Sequence, residues 1–381
     1  MRRRGPLAGF FALGIVWGGW AALVPAIQTA VGATKGELGL ALLFVALGAL
    51  PAMLLMGGQV DRRGPRVLPA VLTGLAVAAV LPAFADSVAA LAAALFILGV
   101  ASGAVDVAIN GAVAELEARR GARLMQIAHG LFSAGVLVGA IGVGLAREAG
   151  AGRLICLAAV AAVVLAAGAL NLGHERFERR LEPDASRRPR LTRAAIPLGI
   201  ACAAAFLIEG GIESWSALFL ERELDAGPAV GALGPAAYGG AMMLGRFSGQ
   251  WLERLLGDTL LLASAASVAG AGLVVAAFAP TAPVAIAAFF LGGAGVSIAA
   301  PALLGAAGRR AGSGDRGASV ATVTMIGYLG FLVGPPVVGA AAEVVGLRAA
   351  FAALALVAAG LVAATPKLGL SRESRLEPLT Q

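Results

Sequence analysis

The chain carries two cysteines, two histidines and two tyrosines in 381 residues. Cys156 and Cys202 each lie inside an apolar run, so there is no disulfide framework and no CxxC metal pair. Neither His129 nor His174 belongs to a metal-spaced cluster, and no P-loop or nucleotide fingerprint is present. No metal and no cofactor is therefore expected. Charge is scarce as well: 13% of residues are Asp, Glu, Lys or Arg, against about 25% in an average soluble domain. With 59% hydrophobic residues, the composition is that of a membrane protein. The net charge of +7 does not signal nucleic acid. The arginines cluster between apolar runs, and the aromatic–basic interleaving that grips bases is missing.

What the chain has in abundance is apolar runs. Windows of about 20 residues predict twelve spans, at 7–28, 38–59, 67–84, 88–113, 124–146, 153–172, 194–220, 232–252, 259–279, 283–306, 318–341 and 347–366. The first, with apolar Leu7–Val24 behind three arginines, is too long for a cleaved signal peptide and reads as a retained helix. Most connections are short. The exception is the polar, basic stretch Gly173–Arg193. The expected fold is all-α, a polytopic membrane protein of two pseudo-symmetric six-helix bundles, 1–172 and 194–381, joined by a cytoplasmic linker, 173–193. Alternating the loops from an inside N-terminus puts 23 of the 29 Lys and Arg inside and five outside, with Arg246 in a span. That bias predicts both termini in the cytoplasm.

The halves repeat. Gly135, Gly139, Gly144 and Glu148 recur as Gly330, Gly334, Gly339 and Glu343, an offset of 195. The same offset takes Trp20 to Trp215. After the second span, Gly57-Gly-Gln-Val-Asp61-Arg62 is echoed at an offset of 192 by Gly249-Gln-Trp-Leu-Glu253-Arg254. A parallel duplication of this kind places a substrate site between two bundles.

The first of those loops, GGQVDRRGPR, has chemistry suited to a gate. Small Gly57 is expected to admit a neighbouring helix. Asp61 can accept hydrogen bonds from a helix N-terminus across the interface, and Arg62, Arg63 and Arg66 can pair with acids or phosphate head groups. The Gly-x-x-x-Asp-Arg-x-Gly-x-Arg pattern resembles the loop 2–3 signature of the major facilitator superfamily. The span number, the linker and the degenerate second copy agree with that resemblance over nearly the whole chain. It implies a cytoplasmic gate latch at Gly57, Asp61, Arg62, Gly64 and Arg66. DVAIN (Asp106–Asn110), HGLFSAG (His129–Gly135) and GYLGFLVGPP (Gly327–Pro336) further resemble the YbjJ-type bacterial branch, itself similar to fucose-permease-like symporters. The drug/proton antiporters of the superfamily usually carry a Gly-Pro-containing signature in the fifth span. Here that span has glycines without proline, which weakens an efflux reading.

Several polar groups lie inside predicted spans, where ionisable residues usually face a cavity or a partner. AFLIEGGIESWSALFLE, Ala205–Glu221, places Glu209 and Glu213 on one helical face, with Ser216 continuing the stripe. A carboxylate near the bilayer centre costs about 2.5–3.5 kcal/mol even on lenient scales. Two of them sharing an apolar site cannot both ionise cheaply, so one is expected to be protonated or paired with a cation. At the 195 offset their counterparts are Gly14 and Gly18, so the acids belong to the asymmetric part of the repeat. Asp106 and Asn110 share a face of the fourth span, as do His129 and Ser133 in the fifth, and an Asp106–His129 contact is expected. A Ser133–His129–Asp106 catalytic triad is rejected: His and Ser stack on one face, and no oxyanion-hole turn follows. Trp20 and Trp215 offer flat surface to a substrate. Gln28, Arg246 and Tyr328 are secondary candidates.

The expected protein is not an enzyme and has no catalytic residues. It is a secondary transporter of a small solute in the bacterial inner membrane, working by alternating access and functional as a monomer, with the bilayer and a small molecule as partners. Coupling to a proton or other ion gradient is expected through Glu209, with Asp106 as a second candidate. An exporter on the same scaffold is the alternative, and a non-transporting sensor a weaker one.

Overall fold

A computed structural model describes residues 4–120, 124–172, 192–311 and 316–370. The side chains at 61, 120, 249, 250, 253 and 254 are not described, and most of the predicted linker lies outside the described residues. Among those residues there are helices and no strands. The first six helices are α1 (Arg4–Val31), α2 (Lys35–Arg63), α3 (Leu68–Val80), α4 (Val88–Arg120), α5 (Met125–Glu148) and α6 (Arg153–Ala169). α7 follows at Ile196–Glu223, and α10 at Ala282–Arg310.

Two places predicted as loops are single glycines instead. The helix Leu233–Ala277 runs through both the eighth and ninth predicted spans and is interrupted only at Gly257, with φ 67°. The helix Arg316–Ala364 does the same at Gly346, with φ 84°. A positive φ breaks the helical ladder and is open to Gly without a Cβ penalty, so one residue suffices to turn the chain. We number the pieces α8 (233–256), α9 (258–277), α11 (316–345) and α12 (347–364). Nine described segments are long and apolar enough to cross a membrane. Cut at the two glycines, the helices are compatible with the twelve predicted spans. Elsewhere the boundaries follow local chemistry. At the start of α2, the Thr34 hydroxyl accepts from the Glu37 N–H at 3.2 Å, and the Glu37 carboxylate accepts from the Thr34 N–H at 2.9 Å. This reciprocal capping box satisfies two orphan donors.

Small residues draw the helices together. A Cβ on Gly135 or Gly139 of α5 would strike the Phe11 or Ile15 carbonyl of α1. In the second half, Gly330 of α11 meets the Ala203 carbonyl of α7, and Gly334 lies against Leu207. Backbone packing at this range is how apolar helices associate without a hydrophobic drive between them. It also corrects the repeat. α5 maps onto α11 at 195, but Phe11 maps onto Ala203 and Ile15 onto Leu207, which is 192. Gly19 against Val143 and Val160, and Gly211 against Val338 and Leu354, repeat that register. Trp20 and Trp215 are therefore not counterparts. Glu209 corresponds to Trp17, and Glu213 to Ala21.

By alternation, the bundle has a near end, holding Arg4 and the α2–α3 junction, and a far end, holding the α1–α2 and α5–α6 turns.

Candidate substrate cavity

Between the two sets of six helices lies one cavity of about 780 Å³, lined by both. That size is within the usual range for small-molecule sites, about 300–1,000 Å³. Its lining extends from Glu213 and Trp20, midway along the bundle, to Met53, Met125 and Leu304 toward the near end.

The predicted acids reach this space. Glu209 of α7 is 8% exposed, lines the cavity, and accepts a 2.8 Å hydrogen bond from the Tyr238 hydroxyl of α8. Glu213 lines it one turn further along α7, and Asp106 lines it from α4. The Asp106 carboxylate accepts from the Asn110 amide of its own helix at 3.1 Å, and the same amide donates to the Asp106 carbonyl at 2.9 Å. Asn110 is thereby turned to its own helix and is not in the cavity wall. Among the described residues none of these three acids forms an ion pair.

Arg246 of α8 is the cation of the cavity wall, and it is committed to a seam between the halves. Its Nη1 donates to the His129 carbonyl at 2.9 Å and to the Ser133 hydroxyl at 2.7 Å. The guanidinium lies 5.7 Å from the Phe132 ring centroid. In return the Arg246 carbonyl accepts from the Gln126 amide at 2.8 Å. The His129 ring lines the cavity and meets Phe10 edge-on at 5.2 Å. The expected Asp106–His129 contact is absent among the described residues: Asn110 takes the carboxylate, and Phe10 takes the ring. Ser133 donates to the His129 carbonyl at 3.3 Å and faces Arg246, so no triad geometry forms.

The aromatic wall differs from expectation. Trp20 lines the cavity, and so does Trp17, its unpredicted neighbour and the counterpart of Glu209. Trp215 is fully buried against Gly339 of α11, outside the lining, because the 192 register turns it into the α7–α11 seam. Ser216 is likewise buried and packs on Gly234, so the polar stripe ends at Glu213. Gln28 is buried and also outside the lining. Tyr328 is in the wall with Phe206 and Phe331; those two rings stack at 4.5 Å, and Tyr328 lies 5.9 Å from Phe206. Tyr238 was missed, although one of only two tyrosines, set in a Gly- and Ala-rich span, was a usable signal.

The two ends of the cavity are built differently. At the far end, Arg147 of α5 grips Glu221 of α7 with two bonds of 2.6 and 3.0 Å, and both side chains are about 10% exposed or less. Its Nη1 also donates to the Ala22 carbonyl at 2.6 Å. Arg222 donates to the Thr29 hydroxyl at 2.5 Å. The Lys35 ammonium stands 3.9 Å from Glu223. At the near end the candidate gate has open space at its first two glycines. Gly57 and Gly58 have nothing within reach of a Cβ, contrary to the close helix expected at Gly57. Arg62 and Arg66 are exposed, and the Asp61 side chain lies outside the described residues. Gly64 ends α2, its N–H donating to the Val60 carbonyl.

Comparison with known proteins agrees with this architecture. The chain is 33% identical over 351 residues to an uncharacterized MFS-type transporter of Yersinia pestis, covering 91% of this chain and 90% of that one. It is 30% identical to the membrane protein MosC of Rhizobium meliloti, covering 97% and 90%. Two solved structures share the fold at low identity. The nucleoside transporter NupG, solved as a mutant, has a TM-score of 0.77 at 13% identity, covering 96% and 98%. A bacterial homologue of the human lysosomal transporter Spinster, inward-facing and occupied, has 0.76 at 15%, covering 98% and 97%. The sequence profile of the Major Facilitator Superfamily matches residues 7–312, and the chain belongs to that family.

Proposed function

We propose that this transporter moves a small solute by alternating access and couples it to protons through Glu209, with Asp106 as a second protonation site. The observation that carries the reading is Glu209: buried, on the cavity wall, held by the Tyr238 hydroxyl at 2.8 Å, and without an ion-pair partner among the described residues. An intramembrane carboxylate in that setting is suited to cycle between charged and neutral forms as the cavity changes sides. Tyr238 orients it toward the space a solute would fill. Trp17, Trp20 and the Phe206–Tyr328–Phe331 group supply apolar faces for the solute body. Solute binding shifts the equilibrium only as far as its contacts differ between the two access states. The arginine bias supports a reading in which the near end faces the cytoplasm of a bacterial inner membrane. The far-end ion pairs and the unpartnered glycines of the gate then correspond to an inward-facing state, the state named for the Spinster homologue.

The test has two stages. A thermal-shift screen against a metabolite library at two pH values identifies a solute. Proteoliposomes with an imposed pH gradient then measure its accumulation. Glu209→Gln is expected to abolish gradient-driven accumulation while leaving solute exchange measurable. Accumulation as steep as the parent's would remove Glu209 from the coupling role. The sign of the gradient that drives accumulation separates import from export.

A further inference from the structure

The repeated glycines of α5 and α11 each end on a glutamate, Glu148 and Glu343, that neither the cavity nor the predicted gate uses. Both reach into the opposite half. Glu343 Oε2 accepts from the backbone N–H groups of Lys35 and Gly36, the first turn of α2, at 2.9 and 3.3 Å. Glu148 Oε2 accepts from the N–H of Ala229, at the start of the turn that leads into α8, at 3.1 Å. Gly227 gives the Glu148 carboxylate room, since a Cβ there would lie 3.0 Å from its Oε2, while a Cβ on Gly36 would make only ordinary contact with Glu343, at 3.7 Å. One carboxylate thus spans the α5–α8 side of the far end, and the other the α2–α11 side.

We propose that Glu148 and Glu343 are a matched pair of far-end gate residues, and that both release when the cavity opens to the far side. This rests on the alternating-access reading. Carboxylates on orphan backbone donors are stabilising. Both glutamates are exposed, so each bond is modest and reversible, as a contact broken in every cycle must be. The Arg147–Glu221 pair, buried between them, supplies the stronger closure. The pair is the far-end, opposite-state equivalent of what Asp61 is expected to do at the near end.

The test reads access from both faces. Ser214→Cys reports the far part of the cavity wall, and Met53→Cys the near part, against a parent whose Cys156 and Cys202 are buried. A membrane-impermeant maleimide is added to one face of oriented vesicles at a time. Glu148→Ala and Glu343→Ala are each expected to raise far-face labelling of Ser214→Cys about threefold, and the pair about tenfold. Near-face labelling of Met53→Cys should fall in the same variants. Loss of fold would raise both rates, and Glu148→Gln with Glu343→Gln, which keeps an acceptor oxygen, guards against it with a smaller shift of the same sign. Unchanged rates in both pairs overturn the proposal. Faster far-face labelling with an unchanged near face would keep the gate role and overturn alternating access.

Discussion

The near and far ends are built from the same repeat, yet among the described residues the far end is joined across the halves on several sides and the near end along one. At the far end, polar contacts join the halves on three sides: Arg147 to Glu221, Arg222 to Thr29, and Glu343 to the start of α2. At the near end, the described polar contacts between halves are those of the α5–α8 seam around Arg246. The gate motif faces open space at Gly57. The lesson is that a sequence motif names candidate residues, while the contacts they make in a given structure are decided by how the helices pack.

That contrast can be broken, and the largest effect should come from Arg147. Removing one partner of a buried ion pair costs about 3–5 kcal/mol. Arg147→Ala should therefore move the population toward the far-open state by about a hundredfold or more, read as far-face labelling of Ser214→Cys. Adding Glu221→Ala should recover part of the shift, because the stranded carboxylate is gone. A double variant no better than the single would mean the pair is not coupled.

Arg222→Ala tests the rim of the same end. Its bond to Thr29 is exposed, so a loss of about 0.5 kcal/mol is expected. Far-face labelling should rise about twofold; a rise comparable to that of Arg147→Ala would show that the rim, not the buried pair, closes the far end. The smallest effect on the present state belongs to Gly57→Ala. With nothing near a Cβ there, thermal stability in detergent should match the parent. If Gly57 is the near-end contact of the other state, transport should slow while near-face labelling of Met53→Cys rises modestly. A destabilised Gly57→Ala would mean a helix already packs there.

Much of this was legible in the sequence because membrane burial imposes a simple rule. Apolar runs of spanning length mark helices, and ionisable, polar or aromatic residues inside them are candidates for the cavity wall. Glu209, Glu213, Asp106, His129, Arg246, Tyr328 and Trp20 were found that way, and all seven line the cavity. The same rule misplaced Trp215, Gln28 and Asn110, since an aromatic or polar residue in a span says nothing about which face it occupies. Trp215 was paired with Trp20 on matching neighbours, WSAL with WAAL. The packing follows carbonyls opposite glycines instead, and those shift α1 onto α7 by three residues, almost one turn. Trp17 and Tyr238 were legible only with the corrected register or with both tyrosines kept in view.

By itself the sequence determined that the chain is a series of apolar helices, the duplication, and the presence of carboxylates where the bilayer makes them costly. Those follow from composition and spacing along one chain. Only the tertiary structure decided the register of the two halves, which side chains share the cavity, that Asn110 rather than His129 holds Asp106, and which end is closed. Apart from the Asn110–Asp106 bond, which lies within one turn of α4, those depend on contacts between helices more than 70 residues apart, such as Arg147 with Glu221, and such contacts are settled by backbone approach and hydrogen-bond geometry rather than by local pattern.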